Sequence, residues 1–246
     1  MPEAERQCDQ SIYEGAVCVH VDPGLLQPMP EDVAHHAAGQ GSTLRGDMRE
    51  TLRTLLPKVA QRVRPRYAYA AHRVAHVADS SLVLANGVEI PFGLSAVDRK
   101  PSGLVAAVCS MGPDTDGLQA ELGLEGLLDA WLLDATLLAG LDLLETRCLQ
   151  DIAGRAAPAG LCVGPALVPG VAGVPDAAQA TLFECLGAAA AGVSLNETGA
   201  MRPLKSFSCW FPLMVGPAAA ADGLHLCERC DLDSCAFRRG GAATRS

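Results

Sequence analysis

The chain has 246 residues, 49% of them apolar, and a net charge of −9, so it buries a sizeable core and is not a disordered polymer. That acidic balance, with 4% aromatic residues, argues against nucleic acid and anionic membranes as partners, which need a cationic surface or stacking platforms. Residues 1–40 hold Pro23, Pro28 and Pro30 and read as a strand or loop lead-in. "GDMRETLRTLLPKVAQRV" brings Met48, Leu52, Leu55 and Val59 near one face and predicts a helix, which Pro57 is expected to kink. "RYAYAAHRVAHV" alternates and predicts a strand. "SLVLANGVEIPF" predicts a hairpin whose two-residue turn is Asn86-Gly87, and "GLVAAVCSMG" predicts a buried strand.

From Leu122 to Leu149, Leu124, Leu127, Leu128, Trp131, Leu132, Ala135 and Leu138 recur at helical spacing. Glu125, Asp129, Asp134, Asp142 and Glu145 in the same stretch rule out a membrane span. "AGLCVGPALVPG" predicts a short strand entering a loop, "DAAQATLFECLGAAAA" a second helix, and "SLNETGAMRPLKSFSCWFPLMV" a loop followed by a strand. Helices and strands mix without a repeating βα unit, so the expected class is α+β. The expected divisions are a lead-in (1–40), a main domain (41–216) and a cysteine-rich segment with a tail (217–246). "MPEAERQCDQ" at the start lacks the apolar run of a signal peptide, so the expected location is cytoplasmic. Ten cysteines are then read as thiols and ligands rather than disulfides.

"LHLCERCDLDSCAFRR" places Cys227, Cys230 and Cys235 within nine residues. Thiolates at this C-x2-C-x4-C spacing favour a soft metal, zinc or an iron–sulfur cluster. Zinc ribbons pair two knuckles and only one is present, so a [4Fe–4S] cluster is preferred over structural zinc, with unliganded thiols or a disulfide as the third reading. Cys209, on a predicted strand leading toward the motif, is the first candidate for a fourth ligand, and a buried core thiol is its plain alternative. Alternation puts Cys209 on one strand face with Phe207, and Ser208 on the other with Trp210. His225 is the second candidate, Cys8 and Cys18 are outsiders, and a cluster held by three cysteines with an open iron is the remaining alternative. Cys109, Cys148, Cys162 and Cys185 fall on apolar stretches and are read as core. Arg238 and Arg239 either tune a cluster or solubilise the end of the fold. His72 and His76 fall on a strand, too far apart to chelate together; His35 and His36 are read as loop residues. Asp114 and Asp116 are read as helix caps.

The strings "VAAVCSMGPD", "LLDATLLAGLDLLE", "VPGVAGVPDAAQATLFECLG" and "SLNETGAMRPLKSFS" resemble the reactivation (activation) domain of cobalamin-dependent methionine synthase, over about Arg66 to Val215. The resemblance implies an α+β domain with a curved, mixed or antiparallel sheet and flanking helices. It also implies S-adenosylmethionine binding and packing over cobalamin during reductive remethylation. That family's S-adenosylmethionine loop reads Arg-x-x-Pro-Gly-Tyr; here "ALVPGV" has Ala166 and Val171 in place of the arginine and tyrosine. Alanine lacks the guanidinium fork that anchors a polar ligand, so S-adenosylmethionine is not an expected ligand. The "CxxCxxxxC" ending resembles that of stand-alone relatives found near corrinoid methyltransferase systems. By the same resemblance Arg202 and Lys205 contact a corrinoid, with an ordinary loop as the alternative.

Three functions are compatible with these readings. The first is an iron–sulfur accessory protein that returns Co(II) to Co(I) in a corrinoid protein or cobalamin-dependent methyltransferase. The second is a docking module for such a partner, stapled by zinc or a cluster without electron transfer. The third is a methyltransferase acting with its own corrinoid, and it is the weakest because no cobalamin-ligating "DxHxxG" string is present.

Overall fold

A computed structural model describes residues 11–39, 41–93, 96–97 and 100–216. The sheet is organised around Arg66–Val77 (β2). Tyr67, Tyr69 and Ala71 alternate there with Ala68 and Ala70, so bulky residues line one face and small ones the other. Gly103–Ser110 (β5) pairs with β2, and Ser206–Val215 (β9) pairs with β5, both antiparallel. Leu161–Val163 (β6) closes one side of the sheet against the end of β9. On the far edge of β2, Val17–His20 (β1) and Leu82–Leu84 (β3) follow one another, and Glu89–Ile90 (β4) extends β3. The sheet order is β4-β3-β2-β5-β9-β6 with β1 beside β2. Its pairings are antiparallel throughout, and its path is open rather than closed into a barrel. Ser194–Leu195 (β7) and Met201–Arg202 (β8) form a separate small hairpin.

Among the described residues five α-helices flank these strands: Pro30–Ala38 (α1), Gly46–Arg62 (α2), Leu118–Glu121 (α3), Leu127–Ala156 (α4) and Ala178–Leu186 (α5). All eight residues of β5 are buried, because both faces of the sheet are covered. On one face Tyr69, Val105, Cys109, Cys209 and Phe211 meet Leu132, Leu144, Cys148 and Ile152 of α4, with α1 and α2 behind. On the other face Ala70, Leu104, Ala106 and Trp210 meet Leu182 and Leu186 of α5. The Trp210 indole N–H donates to the Ala178 carbonyl at 3.3 Å, so the ring is anchored as well as buried. Each fully buried leucine contributes about 1.5–3 kcal/mol. Truncating Leu144, which has no exposed surface, costs about 2–5 kcal/mol.

The α+β class holds, with an antiparallel sheet. Four local expectations are corrected. Residues 30–38 form α1 rather than irregular lead-in: Pro30 takes the first helical position, where its missing N–H costs nothing. Asp32 accepts the Met29 N–H at 2.9 Å, so this helix starts on local chemistry without a long apolar stripe. His35 and His36 therefore sit on a helix, and His36 Nε2 lies 2.6 Å from Asp142 Oδ2 of α4. The β3–β4 turn is not a two-residue turn. Gly87 N–H donates to the Leu84 carbonyl and Leu84 N–H to the Val88 carbonyl, with positive φ at Gly87 alone. This is a three-residue loop with glycine at its left-handed position. Asp116 caps no helix, and its place is described below.

Helix α2 runs through Pro57 without ending. Helix α4 ends where Pro158 and the left-handed Gly160 (φ 69°) follow it, which stops the helix and turns the chain into β6.

Candidate functional site

Strand β9 delivers the chain to the cysteine-rich segment. Its last three paired residues lie against β6, with Cys162 opposite Met214. Leu161 and Val163 point into the α4-side core. By alternation Cys162 therefore points to the opposite face, where it is buried at 7% exposure, as the sequence reading of a core thiol expects. The chain is pinned here by the Gly216 N–H, which donates to the Gly160 carbonyl at 3.1 Å. A β-carbon placed on Gly216 would lie 3.9 Å from Cys162 Sγ. An open hollow beside this point is lined by Lys100, Pro101, Ser102, Met214 and Val215. Cys227 follows Gly216 by eleven residues. Cys227, Cys230, Cys235, His225 and the two arginines after the motif lie outside the described residues, as does Cys8.

Cys209 is in the middle of β9, opposite Ala107 of β5. Phe207 and Cys209 do share the α4 side, and Trp210 faces the other way. Cys209 is 2% exposed and shares its surroundings with Cys109, Cys148 and Glu145. Burial pushes its thiol well above the usual cysteine range. The Cys109 thiol is also pushed well up, first by donating to Cys148 and then by burial; burial raises Cys148 as well. Such thiols stay protonated and act as small apolar groups. Among the described residues no group of three or more His, Cys, Asp and Glu side chains is placed to hold a metal ion. Cys18 is exposed and Cys185 half-buried.

At the other end of β9 the "RPLK" loop meets the start of α4. Asp116 Oδ1 accepts the Leu204 N–H at 2.8 Å, and Asp116 Oδ2 lies 3.7 Å from the Arg202 guanidinium. Lys205 pairs with Asp134 of α4. Both cations of the loop are thus matched by acids of this same chain. Asp116 and Leu204 are 88 residues apart, and no local pattern signals their contact. Leu127, Leu128, Trp131 and Leu204 remain solvent-exposed around this corner.

The "ALVPGV" loop is stitched onto β9. Leu167 N–H donates to the Trp210 carbonyl at 2.8 Å and Trp210 N–H returns to the Leu167 carbonyl at 2.9 Å. Val171 N–H donates to the Val168 carbonyl and Gly170 N–H to the Val174 carbonyl, so these backbone donors are spent within the loop. Ala166 is buried at 2% exposure in the α4-side core and brings no polar atom from its side chain.

His72 and His76 both lie on β2. The His72 ring N–H is placed to donate to the Cys185 carbonyl at 3.2 Å; burial lowers its pKa, partly offset by that bond. Asp151 of α4 accepts from Tyr69 at 2.9 Å and Tyr67 at 3.2 Å. Burial and that carboxylate raise both phenols, which remain neutral. Among the described residues no helix is long and apolar enough to cross a membrane.

No family model and no curated protein matches this chain. Among solved structures, it is similar to one described as the crystal structure of the MetH reactivation domain bound to AdoHcy. The TM-score is 0.63 at 14% sequence identity, covering 85% of this chain and 82% of that one. At that identity the likeness speaks to architecture: the open antiparallel sheet, with α4 across one face and α5 on the other, is the fold of the MetH reactivation domain.

Proposed function

We propose that this protein is an iron–sulfur accessory factor of corrinoid-dependent methyl transfer, which re-reduces a partner's Co(II) to Co(I). The observation that carries this is a conjunction within one chain. A domain with the fold of the MetH reactivation domain is followed, eleven residues after its last described residue, by three cysteines at C-x2-C-x4-C spacing. Cys227, Cys230 and Cys235 are the proposed ligands, with a fourth thiolate from the folded domain, for which the sequence nominates Cys209. Thiolates suit iron–sulfur clusters and zinc alike, and three close cysteines plus a remote fourth suit a [4Fe–4S] cluster. When bound, such a cluster supplies single electrons, taken from a low-potential donor, and one electron converts Co(II) to Co(I) without moving a proton.

The domain's part in this reading is docking and positioning. Its buried sheet supplies a rigid platform, and the chain leaves that platform at a fixed point beside Cys162 and Gly216. The partner is a corrinoid protein or cobalamin-dependent methyltransferase, and the place of action is the cytoplasm. S-adenosylmethionine is not a ligand in this reading, because Ala166 is an apolar core residue and the Gly170, Val171 and Val174 N–H groups are bonded within the loop. A docking module stapled by zinc is the competing outcome of the test.

The test is purification without oxygen, followed by iron, acid-labile sulfide and zinc analysis and redox titration. The expected result is brown protein with about four iron and four sulfide per chain, reversibly reduced by one electron. Colourless protein with one zinc would overturn the electron-transfer reading.

A further inference from the structure

We propose that the cavity between residues 23–28, α2 and α4 is a binding site for a small uncharged apolar molecule of about the size of benzene. The cavity holds about 160 Å³, and an apolar cavity of about 150 Å³ stays dry and takes up benzene or xenon. Leu56, Val59, Ala60 and Val63 of α2 supply one wall, because residues three, four and seven apart share a helix face. Thr136 and Gly140, one turn apart on α4, supply another, and Met111, which follows β5, forms the inner end. Met111, Val59 and Val63 are all buried, whereas Gln27 and Pro57 are exposed and mark the mouth.

The lining decides the class of ligand. Among the described residues that line the cavity none is charged, so an ion entering it would lose its hydration and gain no counter-charge. The polar groups of the walls are already bonded. The Thr136 hydroxyl donates to the Leu132 carbonyl of its own helix at 2.7 Å. Met111 N–H donates to the Lys205 carbonyl at 3.0 Å, and the Met111 carbonyl accepts the Arg64 N–H at 2.9 Å. Leu26 N–H donates to the Pro23 carbonyl at 3.0 Å, and Pro23, Pro28 and Pro57 have no N–H to offer. A water inside a cavity needs two to four polar partners. These walls favour an apolar occupant instead, with the Gln27 amide at the exposed rim.

The walls are held apart. Arg147 of α4 donates to the Leu25 carbonyl at 3.1 Å, which ties residues 23–28 to the helix, and Asp22 accepts the Gly24 N–H at 2.9 Å. Proline rings at three points of the lining resist collapse into the space between them, because each fixes its own backbone angle. One part of the lining adapts. A β-carbon on Gly140 would lie 2.8 Å from Met111 Cε, so the glycine gives the end of that side chain its place against α4. An unbranched thioether with three rotatable bonds follows the shape of what it packs on. The site uses no residue of the metal reading.

The experiment uses the full chain with carbon-13 in its methionine methyl groups, as wild type, Ala60→Leu and Gly140→Ala. The Met111 resonance is identified by its loss in Met111→Leu. The probe is benzene, with benzoate as its charged counterpart. Benzene is expected to shift the Met111 resonance saturably, with a dissociation constant of about 1 mM or tighter, and benzoate is expected to leave it in place. Ala60→Leu fills the space with a larger side chain and is expected to weaken benzene binding about tenfold or more without lowering the melting temperature. Gly140→Ala drives the Met111 methyl from its place and is expected to weaken binding as well, while favouring the helix; it carries the test if Ala60→Leu does not fold. No saturable shift up to the solubility of benzene makes the cavity a packing void and overturns the proposal. Unchanged binding in the folded variants puts benzene elsewhere and overturns it too. Benzoate binding as tightly as benzene overturns the uncharged class of ligand.

Discussion

Replacing Cys209 with serine separates a packing role from a ligand role in one variant. The thiol is 2% exposed in the middle of β9 and faces α4, Cys109 and Cys148. Serine matches its shape but puts a hydroxyl where the neighbours are apolar side chains and raised-pKa thiols. A buried hydroxyl without a good partner costs about 1–3 kcal/mol. For a chain of this size 1 kcal/mol moves the melting temperature by about 2–4 °C, so metal-free Cys209→Ser is expected to melt about 2–12 °C below wild type. Cys209→Ala leaves a small void but no stranded polar group, and it is expected to melt between the two. The assay is thermal unfolding followed by circular dichroism on metal-free protein, beside iron analysis on protein made without oxygen. The packing argument expects lowered stability and unchanged iron per folded chain. Lost iron with an unchanged metal-free melting temperature would refute it and make Cys209 a ligand.

Cys227→Ser, Cys230→Ser and Cys235→Ser are each expected to abolish or sharply cut iron content, because a hydroxyl does not replace a thiolate for a soft metal; full iron in any one removes that residue from the set. Calorimetry with S-adenosylmethionine is expected to show no binding, given the buried Ala166 and the self-paired loop after it; a low-micromolar dissociation constant would contradict this. Stability is expected to fall between pH 7.5 and pH 5.5 through His72. Burial lowers its pKa in the folded chain, so the unfolded chain, with a pKa of about 6.5, takes up the proton first. The contribution is therefore present above the ordinary histidine pKa and lost as pH falls through and below it. His72→Gln should flatten that part of the melting-temperature profile, and an unchanged slope would show that other groups carry it.

The elements legible in the sequence are those whose signal is local. Tyr67, Ala68, Tyr69 and Ala70 alternate, and β2 spans the predicted residues. Leu132, Leu144 and Cys148 recur at helical spacing, and α4 follows them, although it starts at Leu127 and runs on to Ala156. The alternation of Phe207, Cys209 and Trp210 also separates the two faces of β9, because side-chain direction in a strand has a period of two. Periodicity does not reveal that both faces are covered, and α5 on the far side is what buries Trp210. Helix α1 escaped because it is short and begins on a proline and an aspartate cap instead of a long apolar stripe. The contact of Asp116 with Leu204, and the approach of Cys162 to Gly216, join residues 88 and 54 positions apart. Such contacts depend on which strands become neighbours and in what register, and that is decided by burying both sheet faces at once rather than by any short string. Chain order thus supplied the three cysteines and their spacing, while the pairing of β6 with the end of β9 set Cys162 opposite Met214 and close to Gly216.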